Sequence, residues 1–159
     1  MEVASFSEIA EEFQARVARI VWCTVSTVDT KGRPRSRILH PIWEGSTGYI
    51  ATSPNSLKAK HLAKNPHVSL SYWDQQHQQV YADCRAEWIG DAAERHRIWD
   101  LYKTTPPPLG YDPAMIPIWK DGPDTPDFGV LKLAPWRIEL FGIAQMATGQ
   151  QPAVWRPRG

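Results

Sequence analysis

Apolar positions along the chain change period several times, and those changes predict the elements. Phe6, Ile9, Phe13 and Val17 recur at spacings of three and four, the stripe of a helix over about 6–18. Ser5 and Glu8 flank its start as a capping box, in which hydroxyl and carboxylate each bond back to the first turn. From 20 to 28 the run IVWCTVSTV is β-branched and aromatic, which predicts a strand. Asp29-Thr30-Lys31-Gly32 is a turn, with Gly32 supplying positive φ. A second strand follows over 33–43, with Arg35 and Arg37 on one face and Ser36 and Ile38 on the other. A third covers 49–53. Pro54-Asn55-Ser56 opens a short helix over 57–64, which Asn65-Pro66 stops. Val68, Leu70 and Tyr72 alternate in a fourth strand, and Val80, Ala82, Cys84, Ala86 and Trp88 in a fifth. Residues 92–102 read as a helix. Residues 128–133 and 136–143 read as two final strands, broken at Pro135 because proline cannot donate to a ladder.

Short antiparallel strands therefore dominate, and strands one to three have no helices between them. This excludes a parallel α/β sheet and predicts a mainly β protein, a β-barrel with peripheral helices. The expected organisation is a single domain over 1–150, then a tail over 151–159, with the chain mobile after Gln145. Between 104 and 126 lie seven of the 14 prolines, together with Leu109, Tyr111, Met115, Ile116, Ile118 and Trp119. That stretch is too proline-rich for a regular element and too apolar for a free linker. It reads as an ordered loop packed on the barrel or on a partner chain.

Composition narrows the function. With 18 basic against 17 acidic residues the net charge is +1, which argues against a nucleic-acid binder or a polybasic membrane anchor. No apolar run approaches the length of a membrane span, and the acidic N-terminus is unlike a signal peptide, so a cytoplasmic protein is expected. Two cysteines without a CxxC partner exclude a disulfide framework and a structural zinc site. The five histidines, at 40, 61, 67, 77 and 96, show no metal-ligand spacing and read as surface or ring-packing residues. No Gly-x-Gly-x-x-Gly fingerprint is present, and no Ser/His/Asp order suggests a hydrolase.

The candidate chemistry lies between Gly32 and Tyr72. Arg37 is in a strand interior, and Lys58 is in the first turn of the short helix beside Thr52, Ser53 and Ser56. A helix start presents free N–H groups and the positive end of a dipole. Arg adds a bidentate fork suited to phosphate. A phosphate held between that helix start and Arg37 is one reading. The plainer one is that Thr52 and Ser53 end a strand, Ser56 caps a helix and Lys58 is solvated.

The same stretch resembles the flavin-binding segment of the pyridoxamine 5′-phosphate oxidase-like split β-barrel superfamily. The family's GxPxxR strand is matched by Gly32-Arg33-Pro34-Arg35-Ser36-Arg37. Its T…S.K segment is matched by Thr52-Ser53-Pro54-Asn55-Ser56-Leu57-Lys58, and its NPxVSL strand by Asn65-Pro66-His67-Val68-Ser69-Leu70. The resemblance implies a homodimeric split β-barrel acting as a flavin-dependent oxidoreductase, with FMN at the dimer interface and a small organic substrate. It implies that Arg37, Thr52, Ser53, Ser56 and Lys58 hold the flavin phosphate. The backbone of Ile38, Leu39 and His40 would run under the ring, Gln79 would approach from the dimer partner, and Phe141 would stand at the ring edge. His40 would shape the site rather than move a proton. No catalytic side chain is identified.

The resemblance stops at the C-terminus. Trp155-Arg156-Pro157-Arg158-Gly159 lacks the Arg-x-His that grips substrate phosphate in the pyridoxamine-phosphate oxidases, so oxidation of vitamin B6 is not implied. A relative of the same fold would use the deazaflavin coenzyme F-420. Arg33, Arg35, Lys58, Lys60 and Lys64 could hold that coenzyme's acidic tail. A non-catalytic flavin- or haem-binding protein is the alternative of another class. The proline-rich loop is expected to cover part of the cofactor pocket or the dimer seam.

Overall fold

A computed structural model describes residues 1–158. A short 3-10 turn, Phe6–Glu8, leads into helix α1, Ala10–Ile20. The capping box forms: Ser7 N–H donates to Ser5 Oγ at 3.1 Å, and Ser5 N–H donates to Glu8 Oε1 at 2.8 Å. Helix α1 reaches Ile20, where a strand was expected to begin. The chain reverses instead at Val21, which takes φ 68° to bury its side chain, and strand β1 starts two residues later.

The strands are β1 (Cys23–Val28), β2 (Pro34–Leu39), β3 (Ile42–Glu44), β4 (Thr47–Thr52), β5 (His67–Trp73), β6 (Gln79–Trp88), β7 (Gly129–Phe141) and β8 (Ala153–Trp155). All pair antiparallel in one curled sheet of order β2-β1-β5-β6-β7-β4-β3, with β8 added on β7. This is a split β-barrel. Helices α2 (Leu57–Lys64), α3 (Ala92–Thr104) and α4 (Ile143–Thr148) lie around it. None is long and apolar enough to cross a membrane.

Inside the curl, Phe13 and Val17 of α1 meet Val25, Leu70, Tyr72, Val80, Leu133 and Leu140. Each such fully buried side chain contributes about 1.5–3 kcal/mol of transfer free energy. Arg16 is carried into this region by the same helix and is only 4% exposed. Its Nη1 donates to the carbonyls of Gln79 and Phe141, at 2.7 and 2.6 Å, and its Nη2 pairs with Glu12. One guanidinium thus ties α1 to adjoining ends of β6 and β7.

Residues 128–143 were expected as two strands but form one, β7. Pro135 is accommodated in two ways. It pairs with Cys84 while Arg137 pairs with Asp83, so Trp136 is a bulge residue without an opposite number. On the other edge Pro135 falls in the gap between β4, which pairs with residues 129–133, and β8, which pairs with 138–140. The stretch expected to be mobile is also structured. Helix α4 occupies 143–148, and β8 joins the sheet inside the segment read as a tail, bridged to Glu2. Gly159 lies outside the described residues.

A second core joins Ile98, Trp99 and Tyr102 of α3 to Ile42, Tyr49, Val130, Phe128 and Trp119. Trp119, 6% exposed, belongs to the proline-rich loop, and its indole donates to the Asp127 carbonyl at 2.8 Å. The loop is ordered by this packing and by two 3-10 turns, Pro113–Met115 and Pro117–Trp119.

At Gly110 a Cβ would lie 1.7 Å from the Thr105 carbonyl oxygen, a backbone atom that cannot move aside. Gly110→Ala should therefore cost about 2 kcal/mol or more, read as a lower thermal midpoint. Gly32, at φ +80° with open space around it, should cost only about 1 kcal/mol as Gly32→Ala. Equal losses would show that close approach is not the constraint at Gly110.

Candidate functional site

The tight turn between β1 and β2 sets the register in which Val25 faces Arg37 and Thr27 faces Arg35. Directly opposed residues share a face. Arg35 and Arg37 share one face, as the alternation predicted, and because Val25 and Thr27 point inward that face is the inner one. The carbonyl and hydroxyl of β1 hold Arg37: its Nη1 donates to Thr27 Oγ1 at 2.8 Å and to Val25 O at 3.2 Å.

Helix α2 crosses the end of β1 and brings Lys58 to this place. Arg35, Ser36, Arg37, Ser56, Leu57 and Lys58 line an open cleft of ≈ 300 Å³. Ser56 occupies the N-cap position but makes no capping bond. Its hydroxyl donates to the Ser53 carbonyl at 2.8 Å and accepts from Lys58 Nζ at 3.0 Å. The helix start is thus not capped by its own serine, contrary to the plainer reading.

The electrostatics of the cleft are one-sided. Among the described residues, no ion pair involves Arg35, Arg37 or Lys58. Burial, then the neighbouring Arg35 charge, pulls the Arg37 guanidinium below its usual range. Burial, then the Arg37 charge, does the same to the Lys58 ammonium. Partly desolvated like charges without a carboxylate are a cost that an anion in the cleft would relieve.

The other predicted positions divide. Thr52 ends β4 opposite Gly129 and is buried. Ser53 faces Asp127, with its hydroxyl donating to Oδ1 at 3.4 Å, and Asn55 Nδ2 donates to the same oxygen at 3.0 Å. Neither Thr52 nor Ser53 lines the cleft with Arg37. Ile38 is 59% exposed on the outer face of β2, Leu39 packs against the core, and His40 starts the bend into β3. Gln79 and Phe141 are direct cross-strand neighbours, both bound through their carbonyls by Arg16. Gln79 on β6 is three strands away from β2 and Phe141 on β7 is four, about 14 and 19 Å at ~4.8 Å per strand. A single chain therefore does not bring them to Arg37.

The sequence model of the pyridoxamine 5′-phosphate oxidase family matches residues 9–142. The chain belongs to that family. General stress protein 26 of Bacillus subtilis is 27% identical over 119 residues, which cover 72% of this chain and 76% of that protein. Three solved structures share the fold. A protein related to general stress protein 26 from Clostridium acetobutylicum has TM-score 0.73, 15% identity and 96% coverage of both chains. An FMN-binding relative of the oxidase from Nostoc punctiforme has TM-score 0.65 and 16% identity, and covers 99% of this chain and 98% of its own. An F-420 reductase has TM-score 0.57 and 19% identity, and covers 79% of this chain and 94% of its own.

Within this family fold, reading the sequence missed Arg16, Thr27 and His61. His61 is neither on the surface nor packed against a ring: it is 3% exposed, with Nδ1 2.8 Å from Thr27 Oγ1. The signal was available, because Lys58, His61 and Leu62 are one inward stripe of α2 at spacings of three and four. Arg16 follows Phe13 by three and sits on the apolar side of α1 in the same way.

His40 joins the bend to the proline-rich loop. Its Nε2 lies 2.5 Å from the Leu109 carbonyl, so Nε2 carries the hydrogen and donates. Its ring stands 4.9 Å from that of Trp22, 5.0 Å from Tyr111 and 5.8 Å from Tyr102. Burial pulls its pKa below the usual 6.5. The unfolded chain thus takes a proton near 6.5 that the folded chain resists. This contribution to stability is full above 6.5 and falls as pH drops below it. His40→Gln should lose less thermal stability than the parent between neutral pH and about pH 5. Identical acid-side losses would show that His40 is not a group linking folding to pH.

Proposed function

We propose that the chain is an FMN-dependent oxidoreductase that works as a homodimer in the cytoplasm. The observation that carries this reading is the cleft of Arg35, Arg37 and Lys58, which holds cationic donors and hydroxyls and no carboxylate. Its donor set fits a phosphate dianion: a guanidinium fork, an ammonium, the Ser56 hydroxyl and a helix start without a serine cap. Arg37, Lys58 and Ser56 would bind the cofactor phosphate. Ile38, Leu39 and His40 would bound the ring system. Thr52 and Ser53 would act indirectly, by holding the turn into α2. The flavin supplies hydride transfer when bound, and the protein binds, orients and excludes water.

The outer face of the sheet supports the dimer. Ile38, Thr24, Ser71 and Tyr81 form one cross-strand row, and Ser36, Ser26, Ser69 and Asp83 the next. This mostly short-chained surface carries exposed Trp22 and Trp73 at its border, a shape suited to a second flat face. A second copy is also what would supply Gln79 and Phe141 to a cofactor bound at Arg37.

FMN is favoured over the deazaflavin coenzyme by where the other basic groups are spent. Arg33 Nε pairs with Asp29 at 2.9 Å, and Lys64 Nζ donates to the Thr30 carbonyl at 2.6 Å. Two of the five cations read for an acidic tail are therefore already engaged.

Three measurements test the reading. The purified protein should absorb near ~450 nm after reconstitution with FMN, and near ~420 nm if it takes the deazaflavin instead. Replacing Arg37 and Lys58 together with Ala should weaken FMN on the order of a hundredfold or more, since two charge-assisted bonds are lost. Unchanged affinity would sink the phosphate assignment. Tight binding without substrate-dependent oxidation of the reduced cofactor would identify a non-catalytic binder.

A further inference from the structure

Arg37 is not a free surface arginine. Its Nη1 hydrogen bond ends on Thr27 Oγ1, and Thr27 is 2% exposed. That hydroxyl is in turn 2.8 Å from His61 Nδ1, on the inward stripe of α2. A threonine hydroxyl has one hydrogen and two lone pairs. With one lone pair taken by the guanidinium, its hydrogen and its second lone pair remain, and the bond to His61 Nδ1 uses one of them. The chain Arg37–Thr27–His61 thus crosses β2, β1 and α2. His61 is three residues beyond Lys58, on the same helix face.

We propose that Thr27 and His61 are positioning residues of the anion cleft. They fix one arm of the Arg37 guanidinium against the barrel and leave its other N–H donors for the ligand. They also lock the Arg37 strand to the helix that carries Lys58, so the two cations keep one spacing. This inference rests on the phosphate reading of the cleft. Without the relay, Arg37 would have to lose its rotamer freedom on each binding event, which weakens binding. A buried hydroxyl and a buried imidazole serve here because neither adds a carboxylate, which would neutralise the cleft.

The test compares FMN with riboflavin, which lacks the phosphate, by flavin fluorescence titration of the full-length protein. Thr27→Val and His61→Phe should weaken FMN about tenfold and leave riboflavin within about twofold, while Thr27→Ser should restore FMN binding. Circular dichroism and the thermal midpoint check that each variant is folded, and His61→Leu replaces His61→Phe if the latter is not. Equal weakening of FMN and riboflavin would mean a general packing role and overturns the proposal. So does wild-type FMN affinity in Thr27→Val and His61→Leu when Arg37→Ala has lost it, an outcome that leaves the phosphate reading standing. If the parent binds F-420 rather than FMN, the same comparison is made with F-420 and its phosphate-free chromophore. Binding of neither cofactor by the parent overturns the phosphate reading and this inference together.

Discussion

Strand β1 is bonded on both edges, to β2 and to β5, and each of its side chains must therefore face either the core or the outer surface. Cys23, Val25 and Thr27 go inward and Thr24 and Ser26 outward, and much of the rest follows from that division. The inward row fixes β2 in a register that turns Arg35 and Arg37 to the mouth of the curl. The outward row gives the sheet a low, hydroxyl-bearing face. A slip of one residue would exchange the two, bringing Thr24 and Ser26 to where Val25 and Thr27 now sit. The register is thus held by the core, and the candidate site is a by-product of it.

Like charges close together are normally avoided or paired. Several other arginines of this chain are paired: Arg33 with Asp29, Arg97 with Glu44 and Glu94, and Arg137 with Asp83 and Glu139. The contrast at Arg35, Arg37 and Lys58 is what gives that cleft its meaning. Partial burial strengthens it, because desolvation and mutual repulsion act on the same groups. The electrostatic cost is carried by the folded barrel, which over-determines the position of each cation.

Most of the fold was legible in the sequence because its strands are half-buried and alternate clearly. The second helix was read with its observed limits, since Ser56 and Pro66 bracket it. Pro135 misled, because the rule that proline ends a strand does not foresee a bulge on one edge and a gap on the other. Strand β8 was illegible because three residues, Ala153–Trp155, carry too little periodicity, and only the free edge of β7 explains their pairing. At the site, the sequence grouped Arg37, Thr52, Ser53, Ser56 and Lys58; the structure brings Arg37, Ser56 and Lys58 to one cleft and leaves Thr52 and Ser53 outside it. The Thr27–His61 pairing was not legible, because a threonine in a strand and a histidine in a helix announce no partnership until the two elements cross.

The proline-rich loop is strapped down at two separated points, by Leu109 on His40 and by Asp127 beside Ser53 and Asn55. Between them it contributes Trp119 to the second core, against α3 and the sheet, and leaves Met115 and Ile118 in solvent. The loop thus divides into anchored and free positions. Its exposed positions can drift in evolution without touching the register of the sheet or the cations of the cleft, provided the straps and Trp119 persist. A lineage could in this way exchange what the protein accepts while inheriting unchanged the scaffold on which it is held.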